Sequence, residues 1–95
     1  MPALLIGQIN VTDEAQYDKY KRLTPAAIEK YGGRFISRGG AFKVFEGQDA
    51  FNRVVVIEFP SLTDAEKFYA SPEYTEAKAV RKEAAIGNFV AVETL

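Results

Sequence analysis

The sequence contains no cysteine and no histidine, and these two absences exclude more chemistry than any residue present suggests. Without cysteine there is no disulfide, no thiolate metal site and no thiol nucleophile. Without histidine, imidazole acid–base catalysis, histidine-ligated zinc and histidine-ligated haem are closed as well. A dominant charge is also missing. Twelve basic residues against 13 acidic ones leave a net charge of −1, so no global field draws the chain to nucleic acid or to an anionic membrane. No apolar run approaches the ~18 residues of a membrane span. The opening Met-Pro-Ala-Leu-Leu-Ile-Gly-Gln has no basic region and reads as a first strand, not a signal peptide. A cytoplasmic protein without membrane contact is expected.

What is present suffices for one folded domain. The chain has 95 residues, 47% hydrophobic and 13% aromatic, enough to fold without covalent staples although a domain this small buries only roughly 60–65% of its unfolded surface. Ala3 to Val11 alternates as a strand. Thr12 and Asp13 offer N-cap oxygens to a helix reaching about Tyr31, with Tyr17, Tyr20, Leu23, Ala27 and Tyr31 on one stripe. Pro25 inside this helix cannot donate to the Lys21 carbonyl, so a kink is expected there. Gly32-Gly33 supplies a left-handed C-cap.

Arg34 to Arg38 forms a second strand, expected to resume from Ala41 to Glu46 after a bulge or bend at Gly39-Gly40. Residues 47 to 52 read as a hairpin loop. Arg53 to Phe59, with Val54-Val55-Val56-Ile57, is the strongest strand signal and should be central. A helix then starts near Ser61 or Thr63 and restarts at Ser71-Pro72-Glu73-Tyr74, with serine as N-cap and proline at the first position. It is expected to end near Ile86-Gly87, before a last strand from Asn88 to Thr94.

The order is βαββαβ, the split pattern of ferredoxin-like α+β domains. Right-handed crossovers put the helices on one face of a four-stranded antiparallel sheet. The other face carries aliphatic side chains and needs a partner. The simplest partner is a second copy, giving a homodimer through the open sheet face.

Several motifs in the same order resemble a known family. They are Tyr31-Gly32-Gly33-Arg34, Arg38-Gly39, Glu46-Gly47, Val56-Ile57-Glu58-Phe59-Pro60-Ser61, and Phe68-Tyr69-Ala70-Ser71-Pro72-Glu73-Tyr74 with Arg81. Together they are similar to domain-of-unknown-function family 1330, of the dimeric α+β barrel superfamily. The resemblance covers nearly the whole chain and implies a ferredoxin-like protomer that pairs sheet to sheet. It implies no established activity and no catalytic residues to transfer. Superfamily relatives include cofactor-independent monooxygenases, muconolactone-isomerase-like enzymes and haem proteins, but this chain has no histidine to ligate iron.

Candidate ligand residues follow from strand alternation. Arg34 and Arg38, four apart, are expected on one face with Ile36 between them, and Glu58 lies on the neighbouring strand. Arg38 and Glu58 should face the enclosed side of the barrel. A guanidinium there must pair with an acid or meet an anionic ligand. One outcome is a carboxylate or phosphate pocket closed by Tyr69 and Tyr74, which flank the Ser-Pro helix break. The other is an internal Arg–Glu pair that fixes register or the dimer. The glycines lack the context of a phosphate loop, and the Val-Val-Val-Ile strand lacks the aromatics of an RNA-binding sheet. The acids, scattered over helix starts and loops, show no calcium-loop spacing, so no metal and no cofactor are expected. The expected function is binding of a small anionic or aromatic metabolite. The competing class is a cofactor-independent enzyme of monooxygenase or isomerase type, with Arg38 holding an anion and a tyrosine or Glu58 handling a proton.

Overall fold

The computed structural model describes residues 1–95. Its elements are β1 (Ala3–Val11), α1 (Glu14–Lys30), β2 (Arg34–Arg38), β3 (Arg53–Phe59), α2 (Leu62–Tyr69), α3 (Pro72–Lys82) and β4 (Ala85–Glu93). The strands form one antiparallel sheet in the order β2-β3-β1-β4. The two strands richest in β-branched and aliphatic residues, β1 and β3, are thus interior. No helix is long and apolar enough to cross a membrane.

Caps set the helix starts. The Asp13 carboxylate accepts the Gln16 N–H at 3.1 Å, and the Ser61 hydroxyl accepts the Asp64 N–H at 3.0 Å, so the second helix begins from Ser61 and not Thr63. Ser71 breaks the helical segment: its hydroxyl donates to the Phe68 carbonyl at 2.6 Å and accepts the Tyr74 N–H at 3.1 Å. Pro72 then opens α3 at a position whose N–H would have no partner anyway. Gly32, at φ +81°, turns the chain from α1 into β2.

All three helices cover one face of the sheet. Leu5, Ile9, Val55, Ile57 and Phe59 are buried beneath them with Tyr17, Tyr20, Ile28, Phe68 and Tyr74. The alternate residues Leu4, Ile6, Val54 and Val56 are only half-buried. Across from them Val90 and Val92 are 60% and 52% exposed. The open face is therefore aliphatic, as alternation predicted.

Three expectations require correction. No strand resumes at Ala41–Glu46, because β3 begins only at Arg53 and offers that segment no ladder. Residues 39–52 form one long connection instead, tied down where the Asn52 amide bonds both the N–H and the carbonyl of Val11. α3 ends at Lys82 rather than near Gly87, and β4 starts at Ala85, because the nine residues of β1 pair with β4 along their whole length, Val11 opposite Ala85. The third correction decides the site. β2 carries a bulge: Phe35 pairs with Ile57 and Ser37 with Val56, leaving Ile36 as an extra residue. One inserted residue reverses the alternation beyond it. Arg34 pairs with Glu58 on the open face, whereas Arg38 pairs with Val55 on the helix face. The two arginines do not share a side.

Candidate functional site

Arg34 and Glu58 meet each other and nothing else of the expected site. The Arg34 Nε donates to Glu58 Oε1 at 2.9 Å on the open face. With the Arg34 side chain 71% exposed, solvent screens this pair and its energetic effect in the isolated chain is small.

Arg38 lies on the helix side of the sheet and is exposed. Its guanidinium stacks on Phe35, 4.6 Å from the ring centroid, and Nη2 donates to the Lys21 carbonyl at 2.6 Å. That carbonyl is the one that Pro25, four residues on, cannot serve. The Thr24 hydroxyl donates to it as well, at 3.4 Å. The helix thus continues through Pro25 while its orphaned acceptor is satisfied from β2.

This arginine stands at the mouth of a cavity between sheet and helices. Only about 30 Å³ of it is open to the centre of a water molecule. A cavity needs roughly 10–15 Å³ of such volume for one water, so it admits water as it stands and a larger ligand only with side-chain movement. Its walls are mainly apolar, from Leu5, Ile9, Val55 and Ile57 on the sheet and Ile28 and Phe68 on the helices. The polar groups are Arg38, Arg53, Lys21, Thr24 and three tyrosines, Tyr17, Tyr20 and Tyr74.

The tyrosines form a buried cluster. The hydroxyls of Tyr20 and Tyr74 are 2.9 Å apart, and the rings of Tyr17 and Tyr20 are 5.2 Å apart. Burial pushes the phenols of Tyr17, Tyr20 and Tyr74 above the ordinary tyrosine range. They are neutral near pH 7, able to donate and accept hydrogen bonds but not to act as bases. For Tyr17 the opposing influence comes from three guanidiniums, those of Arg53, Arg81 and Arg38 in decreasing order. Arg53 lies over the Tyr17 ring at 5.4 Å, and its buried Nε has no hydrogen-bond partner.

Tyr74 therefore lines the cavity, but Tyr69 does not. Tyr69 stacks on Tyr74 at 5.0 Å between centroids and borders a neighbouring groove with Lys78, Arg81 and Asn88. Glu58 lies across the sheet from this space. The structure brings together Arg38, Tyr74 and, one layer out, Tyr69. Arg34 and Glu58 stand apart.

Sequence reasoning missed Arg53 and Arg81. Each had a signal. Arg53 alternates with Val55 and Ile57 on the face that turns inward. Arg81 follows Tyr74 and Ala77 on the buried stripe of α3, where a basic residue at i+7 is out of place on an otherwise apolar face.

With this geometry the chain can be set beside known proteins. The family model described as "Domain of unknown function (DUF1330)" matches residues 2–95. No curated protein is significantly similar in sequence. Among solved structures, RPA0582 of Rhodopseudomonas palustris, a protein of unknown function, superposes with a TM-score of 0.77 at 19% identity, over 99% of this chain and 82% of that one. A dimeric ferredoxin-like protein of unknown function from Jannaschia sp. gives 0.73 at 10% identity, over 99% and 100%. SnoaB of Streptomyces nogalater, a cofactor-independent oxygenase, gives 0.71 at 11% identity, over 99% and 93%. These likenesses carry the ferredoxin-like fold.

Proposed function

Since the chain belongs to the DUF1330 family, for which no activity is established, we propose from the site itself that it is a homodimeric protein binding a small anionic or aromatic metabolite on the helix side of its sheet. The observation that carries this reading is the cavity in which Arg38 and Arg53 meet apolar walls and neutral phenols, with no carboxylate among its lining residues. Guanidiniums around an apolar hollow favour a ligand with a flat apolar body and one negative end. The test is a thermal-shift and calorimetric screen of small aromatic acids against the protein and against Arg53→Met. Saturable binding that weakens in the variant supports the reading. Indifference of the protein to every acid and every neutral ring overturns it.

The homodimer is part of the same proposal. Leu4, Ile6, Val54, Val56, Val90 and Val92 form an aliphatic face on a protein with little core to spare, and a second copy would cover it. In that arrangement the Arg34–Glu58 pair lies at the subunit boundary and contributes to register. Light scattering at micromolar concentration should give twice the 10.5 kDa chain mass. A stable monomer there defeats sheet-to-sheet pairing.

A second reading is a cofactor-independent enzyme of monooxygenase or isomerase type. The fold shared with SnoaB is compatible with it, although a fold alone assigns no chemistry. The observation in its favour is a trio of phenols held neutral beside guanidiniums, suited to hydrogen-bonding an enolate or phenolate as it forms. Glu58, across the sheet, has no part in it. Oxygen uptake or isomer formation with any acid found to bind, lost in Tyr74→Phe, would separate enzyme from binder.

A further inference from the structure

Arg81 is the one charged side chain that is fully enclosed in the protein, at 5% exposure. No carboxylate pairs with it: the ion pairs of the molecule are Lys21–Asp18, Lys30–Glu73 and Arg34–Glu58. Its Nε is buried without any hydrogen-bond partner. The guanidinium lies 4.4 Å from the Phe89 ring centroid and 5.9 Å from that of Tyr20. It also sits in the last turn of α3, where the helix dipole favours a cation. These contacts offset part of the cost of enclosure, but aromatic faces do not replace an anion for a planar fork of N–H donors.

Its surroundings are built around one shared ring. Phe89 borders both the cavity and the groove of about 570 Å³ that Arg81 and Tyr69 line. The ring rests on two glycines of the sheet, where an added Cβ would stand 2.8 Å away at Gly7 and 3.2 Å away at Gly87. The glycine floor leaves room for a flat ring directly on the strands, with the guanidinium on its other side. Arg38, by contrast, is exposed and already donates to the Lys21 carbonyl.

We propose that Arg81 is the anion-binding residue of the ligand site and that its ligand is a monocyclic aromatic acid. The ring lies among Tyr20, Tyr69 and Phe89, with Phe89 displaced from its glycine seat to join cavity and groove. The carboxylate takes the unpartnered edge of the Arg81 guanidinium. This assignment rests on the cavity reading given above for the apolar body of the ligand, and moves its anion from Arg38 and Arg53 to Arg81, which lines the adjoining groove and not the cavity.

The experiment compares 4-bromobenzoate with its neutral isostere 4-bromobenzamide by calorimetry on the whole protein. A charge-assisted pair predicts that the protein prefers the acid by about 10–100-fold. In Arg81→Met the preference should fall to within about threefold, while Arg81→Lys retains part of it and Arg38→Met retains most. An undiminished preference in Arg81→Met overturns the assignment, as does equal binding of acid and amide by the unaltered protein. The latter outcome leaves the cavity reading standing. Failure of both probes to bind the unaltered protein overturns the assignment, while the cavity reading falls only if the wider screen of acids and neutral rings is silent too. Should Arg81→Met not fold, the anomalous signal of bromine in crystals grown with 4-bromobenzoate decides. A carboxylate on Arg81 supports the proposal; one on Arg38 or Arg53, or no bound ring, overturns it.

Discussion

Replacing Tyr74 by phenylalanine removes one oxygen and keeps the ring, so it isolates the buried Tyr20–Tyr74 hydrogen bond from the packing around it. The two hydroxyls are 2.9 Å apart, and the residues are 7% and 2% exposed, so neither can turn to water. The stranded Tyr20 hydroxyl then carries its desolvation cost with no hydrogen-bond partner, which amounts to about 1–3 kcal/mol. For a domain of this size that corresponds to a melting temperature lower by roughly 4–8 °C per kcal/mol. Tyr20→Phe should cost somewhat less, because the Tyr74 hydroxyl retains Arg81 beside it, a charge that favours its oxygen. In the double variant no hydroxyl remains to be stranded, and the loss should be close to that of one single change. The coupling energy is expected at about 1–2 kcal/mol. Urea denaturation at one fixed protein concentration measures it, since dimerisation would make stability concentration-dependent. Strictly additive single losses, each under about 0.5 kcal/mol, would refute the claim that these oxygens are paired and dry.

Three further outcomes follow from the same geometry. If Arg38 serves the carbonyl that Pro25 orphans, Arg38→Met should cost about 1 kcal/mol in the native background and nearly nothing in Pro25→Ala, whose restored N–H takes over Lys21; equal costs by denaturation would refute this. Gly33→Ala would place a Cβ 2.6 Å from Phe59 and 2.8 Å from Ile28, so calorimetry should show a loss of about 1–3 kcal/mol from overpacking. The Glu73 carboxyl is held below its usual range by Lys30 first and by the Tyr31 hydroxyl among its lesser influences. A lowered folded value means stability present above the unfolded carboxylate range and lost as pH falls through the lowered one, so Glu73→Gln should flatten the acid limb of stability against pH.

Much of this fold was legible because it rests on local rules. Alternation in β1 and β3, the caps at Asp13 and Ser71, and the glycine turn before Arg34 each act over a few residues. The βαββαβ order then leaves few topologies. The site was less legible because it turns on β2, where one residue of register decides everything. Gly39-Gly40 advertised an irregularity, but the bulge falls at Ile36, among residues whose strand propensity is ordinary. It shows only in the pairing with β3 and in the Arg38 bond to the Lys21 carbonyl, both of them distant in sequence. Tyr74 was recoverable from the helix break. Arg81 was not read as a site residue because helical periodicity predicts burial for its position, whereas its chemistry predicts the surface. That conflict between period and residue type was itself the signal.

The bulge also makes the side on which Arg38 stands a matter of pairing and not of letters. Loss of Ile36 would remove the bulge yet leave Arg38 opposite Val55, still on the helix face, because three residues would then separate it from Arg34. Retention of Ile36 in plain alternation, paired with Val56, would instead turn Arg38 to the open face beside the Arg34–Glu58 pair. A cation would pass from the mouth of the cavity to the surface proposed for the second copy, and the Lys21 carbonyl would keep only the Thr24 hydroxyl. Relatives that bulge here and relatives that do not should therefore differ in which compartment holds the charge, even where their aligned letters are the same.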